Sequence, residues 1–208
     1  MTTVQTLVLA AGLSRRMGEQ KLLLPWGSST LLETVLDALT GAGLGPVLCV
    51  LSTDVAQKLG ELHSGVQIIL NRNPERGQAS SLRLGLQALF PGAFCLTVGD
   101  LPRARSRDIA ELLRLFETRS PGLTGAVPFR DGRFGHPMFL DFIWKDRMMA
   151  VEGDRGGRDA LRQDQQELLL TPGADGFFED VDTPEDYLTL LDKEENDPRR
   201  AGFPNEIV

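Results

Sequence analysis

The sequence predicts an α/β fold built on a mostly parallel sheet with helices on both faces. Strand-type apolar runs alternate with segments of helical periodicity. A parallel sheet needs that rhythm, because each crossover lays a helix on one of its faces. The 208 residues suffice for one well-buried domain. Hydrophobic residues at 41% and charged residues at 25% give the balance of a globular protein rather than a disordered chain.

The strand runs are Val4–Ala10, Pro46–Leu51, Val66–Leu70, Ala93–Val98 and Thr124–Pro128. Between the first two, Thr30–Leu39 sets Leu32, Val35, Leu36 and Leu39 on one helical face. Asp54–Leu62 is a shorter, more polar helix, and Ala79–Phe90 aligns Leu82, Leu86 and Leu89. Arg107–Phe116 follows Ser106, a residue suited to an N-cap. After Phe129 the rhythm changes. Asp131-Gly132 signals a turn, and Phe134–Leu140 is short, aromatic and interrupted by Pro137. Asp141–Met149 reads as a helix, Glu167–Leu170 as a short strand and Glu185–Leu191 as a final helix. Residues 1–191 therefore form the expected domain. The charged segment 192–208 is expected to be a poorly ordered extension or an oligomer contact.

Composition removes several classes. A net charge of -7 argues against a general nucleic-acid binder, which carries a basic face. No apolar run is long enough to span a bilayer, and the opening run has no cationic segment before it. Cys49 and Cys95 lie in apolar runs and read as reduced core residues. The expected location is cytoplasmic.

Four segments carry candidate chemistry. The first strand runs into Ala11-Gly12-Leu13-Ser14-Arg15-Arg16-Met17-Gly18, followed by Lys21. Small residues let backbone amides approach a ligand, and three nearby cations suit a polyphosphate. The loop fits neither the P-loop nor the G-x-G-x-x-G pattern, yet it leaves a strand at its carboxyl end, where open α/β sheets bind ligands. In Gly99-Asp100-Leu101-Pro102 a carboxylate at a strand end can hold Mg²⁺ or simply make a turn. In Glu179-Asp180-Val181-Asp182-Thr183-Pro184-Glu185-Asp186, either Asp182 or Thr183 can cap the last helix, and Asp182 alternatively joins Asp100 at a metal. Gly77-Gln78-Ala79-Ser80-Ser81 opens a helix whose free amides and polar side chains can meet a base, ribose or phosphate.

Weaker signals are Gly135-His136-Pro137 and Gly153-Asp154-Arg155-Gly156-Gly157-Arg158. His136 contacts substrate or packs in a turn. Arg155 and Arg158 make a second anion patch or are solvated. His63 reads as a surface residue, and Trp26 and Trp144 as packing residues.

Taken in order, Leu9-Ala10-Ala11-Gly12, Ser14-Arg15-Arg16-Met17-Gly18, Lys21, Gly77-Gln78, Ser80, Gly99-Asp100, Pro102, Gly135-His136-Pro137, Gly153-Asp154 and Asp182-Thr183-Pro184 resemble the MobA-like nucleotidyltransferases. Within them the chain is most similar to the molybdenum cofactor cytidylyltransferases, from Leu9 to about Leu191. The resemblance implies a Rossmann-like three-layer sandwich of the nucleotide-diphospho-sugar transferase type. It implies transfer of CMP from CTP to molybdenum-carrying molybdopterin, with release of pyrophosphate and, afterwards, a recipient molybdoenzyme as partner.

By position, Leu9, Ala10, Ala11 and Gly12 would hold base and ribose. Arg16 and Lys21 would grip the triphosphate, Gln78 and Ser80 would contact the nucleotide, and Asp100 and Asp182 would hold Mg²⁺. Arg16, Lys21 and Asp100 would be catalytic, and His136, Asp154 and Arg158 would face the acceptor. The attacking phosphate is already an anion, so no general base is expected. Guanylyl relatives resemble Leu-Ala-Gly-Gly at the loop, and Ala11 here is expected to leave less room for a purine. The alternatives are a sugar- or alditol-phosphate nucleotidylyltransferase and a non-catalytic cofactor chaperone.

Overall fold

The computed structural model describes residues 4–59, 65–150 and 157–197. Among these residues are ten strands: β1 (Gln5–Ala10), β2 (Pro25–Trp26), β3 (Ser29–Thr30), β4 (Val47–Ser52), β5 (Val66–Asn71), β6 (Phe94–Val98), β7 (Gly125–Arg130), β8 (Arg133–Phe134), β9 (Met138–Leu140) and β10 (Leu168–Thr171). Seven helices accompany them: α1 (Leu31–Gly41), α2 (Thr53–Lys58), α3 (Gln78–Ala88), α4 (Ser106–Glu117), α5 (Ile143–Met149), α6 (Arg158–Gln163) and α7 (Pro184–Glu195).

The main sheet runs β10-β7-β9-β6-β1-β4-β5, with β8 folded back on β7. β1 pairs in parallel with β4 and β6, β4 with β5, and β7 with β10, whereas β9 runs antiparallel to both neighbours. The sheet is mostly parallel, as the alternating rhythm predicts. Successive strand residues face opposite sides. Val8, Ala10, Cys49, Leu51 and Cys95 pack under α1, α2 and α4. Leu7, Leu9, Leu48, Val50, Phe94 and Leu96 pack under α3, α5 and α6. These two cores make the three-layer sandwich.

Both cysteines are fully buried and free, and burial pushes the Cys49 thiol up to about 12. Trp144 is fully buried with its indole N–H donated to Thr124 Oγ1 at 2.9 Å. Trp26 packs with Leu31, Val181 and Leu190 in a third small core, where α7 meets the β2–β3 hairpin.

Local sequence explains most boundaries. Thr30 and Glu33 form a reciprocal capping box at α1, a device that stabilises a helix by about 1 kcal/mol. Ile109, Leu112 and Phe116 give α4 its buried face. Ser106 does not cap α4. Arg105 holds the N-cap position without a side-chain bond, and Ser106 is the first helical residue. Its Oγ lies 2.7 Å from where a side chain on Gly41 would begin, so its hydroxyl is spent on α1–α4 packing. The second helix is described only as far as Leu59, so the end of the expected segment Asp54–Leu62, and His63, lie outside the described residues. The last helix does not stop at Leu191. It runs to Glu195, because Glu194 and Asp197 are buried against Arg103 and Arg105. Residues 198–208 of the expected tail lie outside the described residues. No described helix is long and apolar enough to cross a membrane.

Candidate active site

Parallel pairing aligns the carboxyl ends of β1 and β6, with Leu9 beside Val98, so the loops after both strands leave at one sheet edge. The Gly99 amide donates to the Leu9 carbonyl at 3.1 Å. A Cβ on Gly99 would come within 3.0 Å of Ala10 and Leu32, and only glycine lets the chain turn this tightly over the core. That turn sets Asp100 at the edge. The loop after β1 folds on itself through Ser14, which adopts φ 48° and accepts the Lys21 amide on Oγ at 3.2 Å. Lys21 then points back toward Asp100.

A cleft of roughly 360 Å³ opens along this edge. One wall is Leu9 through Arg15 with Lys21 and Asp100; the other is Pro74, Glu75, Gly77, Gln78 and Ser81. The second wall includes the N-terminus of α3, where no side chain caps the first turn. Its free amides and partial positive charge suit an anion. Gly12 lines the cleft, and a Cβ there would meet no protein atom within 4 Å. Gly12→Ala is therefore expected to leave the melting temperature unchanged while intruding on a ligand in the cleft. A cost of about 1–3 kcal/mol for overpacking corresponds to binding weaker by roughly 5- to 150-fold, measurable by calorimetry with nucleoside triphosphates.

At the cleft floor Lys21 sits between two carboxylates. Its ammonium lies 2.6 Å from Asp100 Oδ2 and 2.9 Å from Asp182 Oδ1, and donates to the Val181 carbonyl at 2.7 Å. All three ammonium donors are thus engaged. Burial opposes the charge on Lys21, but Asp100 and Asp182 outweigh it and the pKa is raised. Burial likewise raises Asp182, but Lys21 and Arg16 overcome it and its carboxyl is held below the usual range.

The capping ambiguity at α7 resolves in favour of Thr183. Its hydroxyl accepts the Asp186 amide at 3.2 Å, and Asp186 accepts the Thr183 amide at 2.8 Å. Asp182 is thereby left to bind Lys21 and Arg16. The Val181 amide donates to the Asp100 carbonyl at 3.0 Å and brings the two carboxylate segments together. Asp100 Oδ1 is buried without a hydrogen-bond partner.

A second lobe of roughly 230 Å³ shares Gln78, Val98 and Asp100 with the first. Its remaining walls include Arg133, Gly135, His136, Arg158, Phe178 and Asp180. A Cβ on Gly135 would come within 2.7 Å of the Phe177 carbonyl, so glycine lets these segments close around the lobe. His136 Nδ1 lies 3.3 Å from the Leu96 carbonyl. Burial, with Arg158 adding to it, lowers its pKa to about 4, so the ring is neutral near pH 7. Burial raises the Asp180 carboxyl, and the nearby Asp100 and Asp182 charges add to that.

Residues 6–168 match the MobA-like NTP transferase domain. The chain belongs to the MobA-like NTP transferase family. It is 26% identical over 200 residues to the molybdenum cofactor cytidylyltransferase of Escherichia coli K12, covering 93% of this chain and 98% of that one. It is also 26% identical over 198 residues to the purine catabolism protein PucB of Bacillus subtilis, covering 86% and 91%. The crystal structure of Rv0371c from Mycobacterium tuberculosis H37Rv superposes with a TM-score of 0.78 at 27% identity, covering 92% of this chain and 98% of that one.

In this MobA-like transferase, Leu9, Ala10, Ala11, Gly12, Lys21, Gln78 and Asp100 line the first lobe, and His136 and Arg158 the second. Two of the expected nucleotide contacts do not line the first lobe. Arg16 lies outside the first lobe, 2.6 Å from Asp182, and Arg15 lines the lobe instead. Ser80 turns its hydroxyl to the Gly77 carbonyl at 2.8 Å and accepts Asn71 Nδ2 at 2.9 Å, while Ser81 lines the wall. Asp154 and Arg155 lie outside the described residues. Arg133 and Asp180 line the second lobe without having been given a role there, although Asp180 belongs to the acidic segment around Asp182. Asp180 sits two residues before Asp182, which is a usable signal; Arg133 follows a turn and offers none.

Proposed function

We propose that this transferase moves CMP from CTP onto the terminal phosphate of molybdenum-carrying molybdopterin, releasing pyrophosphate and leaving the dinucleotide cofactor for a recipient molybdoenzyme. The observation that supports this reading is the pair of lobes meeting at Asp100 and Gln78. A nucleotide lobe and a separate acceptor lobe are what a two-substrate transfer needs, and a carrier needs only one. The acceptor lobe has Arg133 and Arg158 for an anion and Phe134, Phe177 and Phe178 in its walls for a flat ring system. Two buried free thiols accord with the reducing cytoplasm.

In this reading an oxygen of the acceptor phosphate attacks the α-phosphorus of CTP. One P–O bond forms there, the α–β P–O bond breaks, and pyrophosphate leaves. No proton needs to move. Arg15 and the α3 amides hold the triphosphate, Lys21 adds its positive charge from the cleft floor, and Arg158 draws the acceptor phosphate against it. The work of the protein is to bring two anions into line and to offset their repulsion.

Asp100 and Asp182 would hold Mg²⁺. Two hard carboxylates, one with a buried unpartnered oxygen, fit an ion that takes one or two carboxylates plus substrate phosphates. When bound, the ion supplies positive charge that screens the phosphates and eases departure of pyrophosphate.

Ala11 lines the first lobe and would limit the room for a purine. Pyrophosphate release from each nucleoside triphosphate, with and without molybdenum-loaded molybdopterin, tests both points in wild type and Ala11→Gly. Turnover is expected with CTP and the pterin in wild type, with GTP use rising in Ala11→Gly. Turnover with sugar phosphates alone would overturn the acceptor assignment, and equally strong GTP use in both proteins would overturn the role of Ala11.

A further inference from the structure

We propose that Arg103 is a positioning residue that fixes the separation of the two carboxylates, Asp100 and Asp182, and so sets their affinity for a divalent cation. This rests on the reading of Asp100 and Asp182 as metal ligands.

Arg103 stands three positions after Asp100, and Glu179 three positions before Asp182. The two meet: Arg103 Nη1 lies 2.9 Å from Glu179 Oε2. Both side chains are largely buried, at 9% and 16% exposure, so solvent screens the pair weakly. The other edge of the guanidinium reaches Asp197 at 3.2 Å, beyond the end of α7. One planar fork therefore ties the segment after Asp100 both to the segment before Asp182 and to the far end of the helix that Asp182 precedes. Arg has the fixed geometry for this, and Lys does not.

Two backbone contacts show that the segments are held close along their length. The Val181 amide donates to the Asp100 carbonyl at 3.0 Å. Gly176 packs so tightly on the Arg103 carbonyl that no Cβ fits between them. Between these contacts, Arg103–Glu179 is the side-chain link that braces the two segments behind the carboxylates, while Lys21 bridges the carboxylates themselves. Carboxylates held at a fixed distance need no rearrangement to share an ion. Carboxylates on loops that drift apart must be drawn together each time, and that cost appears as weaker metal binding.

Arg105 provides the contrast. It bonds Glu194 at 2.6 Å and approaches Asp197 at 3.5 Å, supporting the same end of α7, and Glu179 is not among its ion-pair partners in the described residues. If the network serves only to anchor α7, loss of either arginine has the same consequence. If Arg103 sets the carboxylate spacing, the two differ. Removing the Arg103 end leaves Glu179 still paired with Lys193 at 2.7 Å, so the charge is not stranded.

The experiment titrates the full chain with Mn²⁺ in the presence of CTP, following the free-ion EPR signal, for wild type, Arg103→Lys, Glu179→Gln and Arg105→Lys, with melting temperatures alongside. Mn²⁺ dissociation constants are expected to rise on the order of tenfold in Arg103→Lys and in Glu179→Gln, the usual scale for groups that orient metal ligands. The Arg103→Lys/Glu179→Gln double variant is expected to bind no more weakly than the worse single variant. Arg105→Lys is expected to lower the melting temperature while leaving Mn²⁺ binding unchanged. Unaltered Mn²⁺ binding in Glu179→Gln, or an equal loss in Arg105→Lys, overturns the proposal; Glu179→Gln decides it even if Arg103→Lys fails to fold. The readout uses no acceptor, so failure of the molybdopterin assignment leaves it intact. Mn²⁺ binding that is unaffected by Asp100→Asn in the same assay instead overturns the metal-ligand reading on which the proposal stands.

Discussion

Asp100→Asn is expected to lower pyrophosphate release by a factor on the order of 10²–10³, the usual cost of losing one group that manages transition-state charge, while leaving the chain folded. The substitution keeps the size and shape of the side chain, and the tight turn at Gly99 that aims it is untouched. Lys21 retains Asp182 and the Val181 carbonyl as partners. What changes is one negative charge at the point shared by the two lobes. CTP binding without acceptor is expected to stay within a few fold of wild type, because most of the nucleotide lobe is formed by other residues. Steady-state pyrophosphate release and calorimetric CTP binding separate these effects. Activity above a tenth of wild type would remove the Asp100 charge from the mechanism.

The strands were legible because parallel strands of this sheet are short apolar runs set between helical segments, a pattern that holds even for the more exposed edge strand β5. The five early strand runs align with β1, β4, β5, β6 and β7 to within a residue or two. The β2–β3 hairpin was not legible, since two-residue strands carry no periodicity. The last helix was cut short for a different reason. The charged segment from Asp192 reads as a poorly ordered extension or an oligomer contact, yet Glu194 is buried through its pairing with Arg105, an element distant in sequence. Burial of a charge depends on its partner, and no local pattern records a partner eighty-nine residues away.

Much the same limit applies at the site. The motif segments that fall among the described residues converge on one edge, because strand order and register bring them there. Which of two adjacent residues faces the cleft was not legible. The choices between Arg15 and Arg16, and between Ser80 and Ser81, follow from backbone direction. At the first pair that direction is set by a left-handed residue at Ser14; at the second it is set by the turn of α3. Which of Asp182 and Thr183 caps the last helix was settled by the cap geometry. Thr183 takes the cap, so the carboxylate is available.

Lys21→Met is expected to be the most damaging single change in stability as well as activity. The lysine side chain is 11% exposed and that of Asp100 18%, so its removal leaves two carboxylates facing one another with little solvent between them. Breaking a buried pair from one side costs about 3–5 kcal/mol. Partial exposure of Asp182 reduces this, and a fall in melting temperature of roughly 5–15 °C is expected for a chain of this size. Pyrophosphate release is expected to fall at least as far as in Asp100→Asn, because the triphosphate loses its most buried cation. The two losses can be told apart with Mg²⁺. In wild type the ammonium already neutralises the carboxylates, and added Mg²⁺ is expected to raise the melting temperature little. In Lys21→Met the same carboxylates have no such counter-charge, so Mg²⁺ binding to the folded state stabilises it by mass action and recovers part of the loss, while activity stays low for want of the phosphate grip. Equal Mg²⁺ shifts in the two proteins would show that Lys21 and the divalent cation do not answer to the same pair of carboxylates.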